Sequence, residues 1–387
     1  MGALLKPTHQ EGGGFHIYGD SSKGKSTGMA VACSVFGDEI FKQSWRATSN
    51  GLEAASAMAN DSLLALDEIS ECDPKEIGAV TYALANGVGK QRANRNGGAR
   101  DVARWLIAVL SNGERSIGSA MDEAGKTAKV GQSIRILNIP LFGEYGAFND
   151  LHDKKGGRAL ADHLLTASSK YYGVAGIEYL TKLVAEIRDL GAQFDDAKKK
   201  LIGDEKLSPQ EARGAKRFAL AAMAGELATD YGITGWKKGD ASRGVRECFN
   251  QWRADFGKGD NEDVQCLKAV KDFIDSHGDA RFSPATGECK TVIYNRAGYY
   301  LRDKVDTNAK DTDDYPVVEY EPKTTYLFND AGMEEATKAN GLKRTIETLI
   351  KHGWLEKQGA HNKKKQRIDG SSKRFYFITK VSGFKKS

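Results

Sequence analysis

The sequence predicts an α/β fold in which a mostly parallel sheet carries helices on both faces, followed by a helical region and a small basic module. Short apolar runs alternate with helical stretches through residue 147, which is typical of buried parallel strands. From residue 148 to about 255, apolar residues recur at helical spacing. The last 60 or so residues combine two short helical patterns with a hairpin pattern.

Four apolar runs predict the strands of the sheet, at 15–18, 62–66, 105–110 and 134–139. A helix is expected to follow the first run, at 26–36, and another at 176–190. Ser208 and Pro209 are a good N-cap and first-turn residue, so they predict the start of an Ala-rich helix that runs to Asp230.

The C-terminal pattern predicts helices at 332–338 and 342–352, then a hairpin that returns through 374–378. From Leu342 to Ser387 there are 13 Lys/Arg residues against 3 Asp/Glu, on a chain of net charge +5. Two helices with a basic β-wing are a common nucleic-acid-binding layout, although a solvated lysine-rich loop has the same composition.

Five cysteines are scattered without C-x-x-C spacing, which indicates free thiols in a reducing compartment and speaks against a structural zinc site. No apolar run approaches the roughly 18 to 20 residues of a membrane span. We therefore expect a cytoplasmic protein without a membrane partner.

A glycine-rich segment after the first strand run matches G-x-x-x-x-G-K-[ST], the phosphate-binding loop of P-loop ATPases. Backbone N–H groups and the start of the following helix form an anion cradle in such loops. Lys25 is expected to neutralise the β- and γ-phosphates of ATP, and Ser26 to hold Mg²⁺ through its hydroxyl. The alternative is a glycine turn with a solvated lysine. The predicted nucleotide-binding segment consists of Gly19, Asp20, Ser21, Ser22, Lys23, Gly24, Lys25, Ser26 and Thr27.

A second apolar run ends in Asp67 and Glu68, about 40 residues after the loop. In phosphoryl transfer, Asp67 would bind a water of the Mg²⁺ ion, and Glu68 would polarise the attacking water. An isolated Asp-Glu pair is more often a simple cap. Its distance from the loop favours the catalytic interpretation, and the glutamate indicates hydrolysis rather than small-molecule kinase chemistry.

Three further polar residues follow or open other elements. Asn112 ends the next strand run and is a candidate contact to the γ-phosphate and the water, with a turn asparagine as the alternative. Arg135 is a candidate arginine finger for a neighbouring subunit, with Arg115 weaker, and Arg217 a candidate sensor in a helical lid. Each arginine taken alone also fits a surface ion pair.

Between these runs, the segment 87–100 has an Asn-Gly-Gly tip that predicts a hairpin. In a ring-shaped ATPase such an insert would contact DNA phosphates without sequence preference, whereas the alternative is an exposed basic turn. Its candidate DNA-binding cations are Lys90, Arg92, Arg95 and Arg100.

Taken in order, these motifs resemble an AAA+-like (superfamily 3/MCM-like) helicase family of mobile elements, long filed as a domain of unknown function. That family often follows a primase domain in phage, phage-satellite and plasmid replication proteins. The resemblance rests on 18–114, 131–135, 217–219 and 233–236. It implies a ring-forming, hexameric DNA helicase with the basic hairpin in its channel, ATP and Mg²⁺ as cofactors, and DNA and further copies of itself as partners. Because about 18 residues precede the loop, we expect either a fragment of a longer protein that includes a primase domain, or a stand-alone helicase portion.

The sequence therefore predicts four regions: a P-loop ATPase core (1–147), a helical lid (148–255), a mixed connecting region (256–325) and a winged-helix-like basic module (326–387). The leading functional hypothesis is a replicative DNA helicase that translocates on single-stranded DNA. The rival is an origin- or operator-binding regulator whose nucleotide controls assembly without unwinding. A protein-remodelling ATPase is a third interpretation, against which the cations of the hairpin count.

Overall fold

The computed structural model describes residues 1–387 except 92–100, 124–133, 142, 149, 187, 257–260, 287–292, 303–323, 339, 360, 369 and 380–387. The chain divides into two compact units, residues 1–259 and 260–387. Each unit has hydrophobic clusters of its own.

The first unit is built on a five-stranded sheet in which every described pairing is parallel. The strand order is β2-β3-β4-β1-β5, so β1 lies between β4 and β5. The strands are β1 (Gly13–Tyr18), β2 (Gln43–Ser44), β3 (Leu63–Asp67), β4 (Ala108–Gly113) and β5 (Ile136–Pro140). The predicted α/β class with a parallel sheet is thus confirmed.

Helices follow most strands of this sheet and continue beyond it. The helices of the first unit are α1 (Gly2–Leu5), α2 (Lys25–Ser34), α3 (Ser49–Met58), α4 (Pro74–Asn86), α5 (Ile117–Asp122), α6 (Gly157–Lys170), α7 (Val174–Ala185), α8 (Leu190–Ile202), α9 (Pro209–Asp230) and α10 (Asp240–Phe256). Single turns of 3₁₀-helix lie at Glu39–Phe41 and Ile69–Glu71.

Both faces of the sheet are covered because successive strand side chains point to opposite sides. On β5, Ile136 joins a cluster that α3 and α4 complete, whereas Leu137 joins a cluster around Phe218 of α9. This two-sided burial explains why the strands read as continuous apolar runs rather than as alternating ones.

Two elements differ from their predicted bounds. The run 105–110 extends three residues before β4, where the backbone N–H of Trp105 donates to Gly87 and its indole N–H to Leu84. The helix predicted at 176–190 ends at Ala185, and Leu190 begins a second helix, α8, which the Asp189 carboxylate caps by accepting from the backbone N–H of Ala192. By contrast, α9 has its predicted start, with a reciprocal capping box between Ser208 and Glu211.

The second unit contains a long helix, a mixed sheet and two shorter helices. Its helices are α11 (Asn261–Arg281), α12 (Asp330–Ala336) and α13 (Leu342–Lys351). Its strands are β6 (Phe282–Pro284), β7 (Gly298–Arg302), β8 (Thr324–Phe328), β9 (Leu355–Glu356), β10 (Lys364–Ile368) and β11 (Ser371–Thr379). The sheet order is β10-β11-β8-β7-β6, with β9 also paired to β11. The predicted helix pair and returning hairpin are therefore present, and the four-region division stays a prediction.

Arg217 fastens α9 to the sheet. Its guanidinium donates to the carbonyl of Gly12 (2.9 Å) and to that of Ile134 (2.5 Å), which precede β1 and β5. Only 9% of Arg217 is exposed, and burial lowers its pKa to about 10, so it stays charged at neutral pH. These contacts lie at the amino ends of the strands.

We expect Arg217→Met to lower the free energy of unfolding by about 2–4 kcal/mol, because it leaves two buried carbonyls without a donor. Urea titration followed by circular dichroism measures the change. Arg213→Met, at an exposed position of the same helix, is the matched control and should stay within about 0.5 kcal/mol of the parent. Equal stability of the two variants would contradict a structural role for Arg217.

Candidate functional site

The glycine-rich loop connects β1 to α2, as its sequence predicts. It runs from Gly19 to Gly24, between the last residue of β1 and the first residue of α2. Gly24 has φ = +75°, and a Cβ there would lie 2.6 Å from the ring of Phe148. Glycine is therefore needed at this position for both its conformation and its size. The loop delivers the chain to a helix N-terminus, whose first N–H groups have no partner within the helix.

Lys25 is the first residue of α2 and is 8% exposed. Its ammonium donates to the carbonyls of Gly19 (2.8 Å) and Asp20 (2.7 Å), which hold the positive charge against the loop. Ser26 is exposed in the same helical turn, whereas Thr27 is buried. The loop thus combines a cation, a hydroxyl and a helix N-terminus, the groups that bind a phosphate.

Strand register brings the loop and the other polar candidates to one edge of the sheet. Ile17 of β1 is paired with Asn112 of β4, and Leu66 of β3 with Ser111. Asp67 therefore follows beside Asn112 on the adjacent strand. The carboxyl ends of β1, β4 and β3 meet at this edge, which is where open α/β sheets bind ligands.

Asn112 bonds to both residues of the predicted Asp-Glu pair. Its side-chain amide donates to Oδ1 of Asp67 (2.7 Å), and its Oδ1 accepts from the backbone N–H of Glu68 (2.7 Å). The second oxygen of Asp67 lies 2.6 Å from the ammonium of Lys42. Asn112 is 2% exposed, so its amide is fixed on both sides.

Glu68 has an unusual backbone. Its φ of +56° lies in the left-handed region, which a residue other than glycine occupies at a cost of about 1 kcal/mol or more. Its carboxylate accepts from the hydroxyl of Ser70 (2.7 Å) and from the Ser70 N–H (3.3 Å), capping the turn Ile69–Glu71. Such strain is common at functional sites.

A chain of buried hydrogen bonds lies beneath this edge. His16 is fully buried on β1, with Nε2 2.8 Å from the carbonyl of Arg115 and Nδ1 2.8 Å from the hydroxyl of Ser111. A carbonyl only accepts, so Nε2 is the protonated nitrogen and the Ser111 hydroxyl donates to Nδ1. Ser111 in turn accepts from the indole N–H of Trp45 (2.9 Å). Burial, with a smaller contribution from the charge of Lys25, lowers the pKa of His16 to about 4, so the ring is neutral at pH 7.

Two of the three candidate arginines lie elsewhere. Arg217 and Arg135 are at the amino edge of the sheet, where Arg217 bonds two backbone carbonyls and Arg135 stacks over the ring of Tyr82 at 4.3 Å. Strands of this length separate the two edges by about 17 Å. The structure therefore does not bring either arginine to the loop of its own chain.

The base of the predicted basic hairpin is described. Val88 pairs with Arg104, and the N–H of Gly89 donates to the carbonyl of Ala103 (2.9 Å). Lys90 bonds Glu53 through its backbone and lies 3.5 Å from the hydroxyl of Ser49 through its ammonium. The other predicted cations fall outside the described residues: Arg92, Arg95 and Arg100.

Sequence reasoning missed three contributors to the site. They are Lys42, Trp45 and the turn 143–148. No short sequence motif marks them, because each belongs to a segment outside the strands and reaches the site only through tertiary packing. A weak signal existed for Trp45, because a tryptophan is costly to expose and this one directly follows a short polar segment.

The expected Mg²⁺ ligands are oxygen donors on neighbouring elements, the hydroxyl of Ser26 on α2 and the carboxylate of Asp67 on β3. Hydroxyl and carboxylate oxygens with phosphate oxygens are the usual Mg²⁺ environment, so the donor set fits this ion. Among the described residues, no group of three or more His, Cys, Asp and Glu side chains is arranged to hold a metal. In the same part of the chain, no helix combines the length and apolarity needed to cross a bilayer.

Comparisons with known proteins agree with this architecture. Residues 1–104 match the family described as a domain of unknown function, DUF927. The chain is also similar to the solved structure of SCCmec type IV Cch, an active helicase, with a TM-score of 0.68 and 17% sequence identity. The similarity covers 98% of this chain and 64% of that one, so this chain spans a little under two thirds of its length. Among curated proteins, none matches the sequence. The chain thus has a helicase-like α/β fold.

His16 stays neutral in the folded protein, but in the unfolded chain it binds a proton below its ordinary pKa of 6.5. Its contribution to the free energy of unfolding is therefore complete above pH 6.5 and is lost as the pH falls towards 4. We expect His16→Asn to be less stable than the parent at neutral pH. Between pH 6.5 and 4, however, the variant should not show the decrease of up to about 3 kcal/mol in the free energy of unfolding that His16 causes in the parent. Urea unfolding at a series of pH values gives the stability of the parent and of the variant as a function of pH. Subtracting one curve from the other removes the effect of the titrating groups that the two proteins have in common. His163→Asn, at an exposed position of α6, should parallel the parent. Parallel curves for His16→Asn would contradict the buried neutral ring.

Proposed function

We propose that this chain is the ATP-hydrolysing part of a DNA helicase from a mobile genetic element. One observation carries the proposal: the glycine-rich loop, Asn112 and the Asp67-Glu68 pair end neighbouring parallel strands at one edge of the sheet. A phosphate cradle beside two carboxylates and a fixed amide is the equipment of phosphoryl transfer to water. The helicase-like fold and the similarity to SCCmec type IV Cch, an active helicase, support the DNA-directed assignment.

The loop binds the phosphates. The ammonium of Lys25 exchanges its two loop carbonyls for β- and γ-phosphate oxygens, and the N–H groups of the loop and of α2 surround the chain of phosphates. Ser26 and, through water, Asp67 would hold Mg²⁺, which would supply positive charge to the transferring phosphoryl group. Lys42 forms an ion pair with Asp67, so its positive charge partly offsets the negative charge of this carboxylate in the site.

Glu68 acts as the base. Its carboxylate takes the proton that the attacking water loses, and Asn112 fixes the backbone from which that carboxylate extends. The contact to Ser70 holds the carboxylate at the turn Ile69–Glu71.

The finer assignments belong to the same proposal. The chain assembles into a hexameric ring and moves along single-stranded DNA that the hairpin with Lys90, Arg92, Arg95 and Arg100 contacts in the channel. Arg135 serves a neighbouring subunit as an arginine finger. The sensor role of Arg217 is not carried forward, because its guanidinium is committed to two backbone carbonyls.

We expect the parent protein with Mg²⁺ to hydrolyse ATP, to do so faster with single-stranded DNA, and to unwind a forked duplex. Lys25→Ala should lose nucleotide binding. Glu68→Gln should bind ATP normally but turn over at least about 100-fold more slowly, since the base is lost while the contacts to phosphate remain. Phosphate release, nucleotide titration and strand displacement are the measurements.

The three readouts separate the candidate functions. Hydrolysis that ignores DNA, with no displacement of the strand, would replace the motor with the regulator hypothesis, in which nucleotide controls DNA binding. Normal turnover in Glu68→Gln would remove the assignment of the base and leave the binding loop standing.

The second unit offers a further DNA contact on its β10–β11 hairpin. Lys365 is paired with Arg374 in register, and Arg367 with Ser372, so these side chains share one face. All four are exposed, whereas Ile368 and Phe375 on the other face are buried. No carboxylate of a described residue lies within ion-pair distance of the three cations. The face therefore presents unneutralised charge, which suits a phosphate backbone.

Replacing Lys365, Arg367 and Arg374 together by Ala should weaken DNA binding by about 10- to 100-fold at low salt and reduce the salt slope by 2 to 3, as expected for lost phosphate contacts. The double variant Lys363→Ala/Lys364→Ala is the matched control, since these ammonium groups already pair with Asp330 and Glu356. Fluorescence anisotropy of labelled DNA, measured over a series of salt concentrations, gives the affinity and the salt slope of each variant. Equal losses in both variants would point to net charge rather than to this face.

A further inference from the structure

A cavity of about 600 Å³ adjoins the outer side of the glycine-rich loop. One wall consists of the loop residues 21–24 together with Thr27, and the other of the turn 143–148 and the start of α6. Its volume is within the range of small-molecule sites. Because Thr27 directly follows Ser26, the cavity begins where the predicted phosphate site ends.

Hydrogen bonds in both directions hold the turn against the loop. The N–H of Ala147 donates to the carbonyl of Lys23 (2.9 Å), and the ammonium of Lys23 donates to the carbonyl of Glu144 (3.0 Å). Gly146 has φ = +67°, and a Cβ there would lie 2.2 Å from the Lys23 carbonyl oxygen. The turn thus packs closely against the loop, and these hydrogen bonds hold the two walls of the cavity together.

The lining is aromatic where it is apolar. Phe148 packs its ring edge against Gly24, which fixes the floor of the cavity. Tyr145 extends along the wall next to Gly157 and keeps 36% of its surface exposed. Arg158 stands at the mouth, 95% exposed in its side chain and 3.9 Å from Asp162. A flat aromatic group with polar edges fits such a lining better than a phosphate chain does.

We propose that this cavity binds the base and ribose of the nucleotide, with the base stacked on Tyr145. The inference rests on the proposed function, because the loop must first hold the phosphates. A triphosphate held by Lys25 and the start of α2 directs its remaining end past Thr27, and this cavity is the concave surface there. The larger ring system of a purine gains more from stacking than a pyrimidine does.

The test compares ATP with inorganic triphosphate, which has the phosphates but no base or ribose. With Mg²⁺ and isothermal calorimetry, Tyr145→Ala should weaken ATP binding about 10- to 100-fold and leave inorganic triphosphate unchanged. Tyr145→Phe should restore ATP affinity, since its ring remains. Tyr171→Ala is the matched control, because Tyr171 is 68% exposed at the end of α6 and does not line the cavity. ATP and GTP should bind more tightly than CTP and UTP.

A second variant fills the cavity instead of removing its wall. Ala161→Phe, at a half-buried position that lines the cavity on α6, should also weaken ATP and spare inorganic triphosphate. Unchanged ATP affinity in both variants overturns the inference, as does equal loss of ATP and inorganic triphosphate, which would mean that the turn only supports the loop. Failure of the parent to bind either ATP or inorganic triphosphate would instead contradict the proposed function itself. Lys25→Ala, which should lose both ligands, shows what such a failure looks like in the same measurement.

Discussion

The side-chain amide of Asn112 is the contact on which the geometry of the carboxyl edge depends. It is buried, it donates to Asp67 and it accepts from the N–H of Glu68, so its two ends cannot be exchanged. The Glu68 backbone is strained, and this hydrogen bond is what satisfies its N–H in that conformation. An apolar replacement would leave a buried donor unpaired and release the residue that we assign as the base.

Beneath Asn112, the chain from Trp45 through Ser111 and His16 to Arg115 fixes the strands that carry the site. Its direction is determined at every link, since the first donor is an indole and the last acceptor is a carbonyl. It joins β1, β4 and the segment after β2 below the loop. Above it, Lys25 donates to the carbonyls of Gly19 and Asp20, and Lys42 pairs with Asp67, so both ammonium groups already have partners at this edge.

Local chemistry could be predicted from the sequence, and tertiary placement could not. The loop needs glycines at fixed spacing, and parallel strands end at one edge, so the meeting of Lys25, Asp67 and Asn112 was predictable in outline. The start of α9 was predictable because a capping box is a contact between residues three apart. The site of Arg217 was not, since helical periodicity gives the face that a residue occupies but not the edge of the sheet that the face meets. Likewise, the run 105–110 predicted burial correctly but shifted the strand, because Trp105 is buried against α4 without pairing in β4.

The amino edge of the sheet has consequences for assembly. Arg135 lies there over the ring of Tyr82, a strand length of about 17 Å from the edge that holds the loop. A side chain extends far less than that, so Arg135 cannot reach a γ-phosphate held by Lys25 of the same chain. If Arg135 is the arginine finger, it acts on a nucleotide of an adjacent subunit, and the electrostatic stabilisation that it supplies exists only in the assembled protein. Hydrolysis would then depend on protein concentration, because a lone chain has the loop, the carboxylates and the amide but lacks the cation that completes the site.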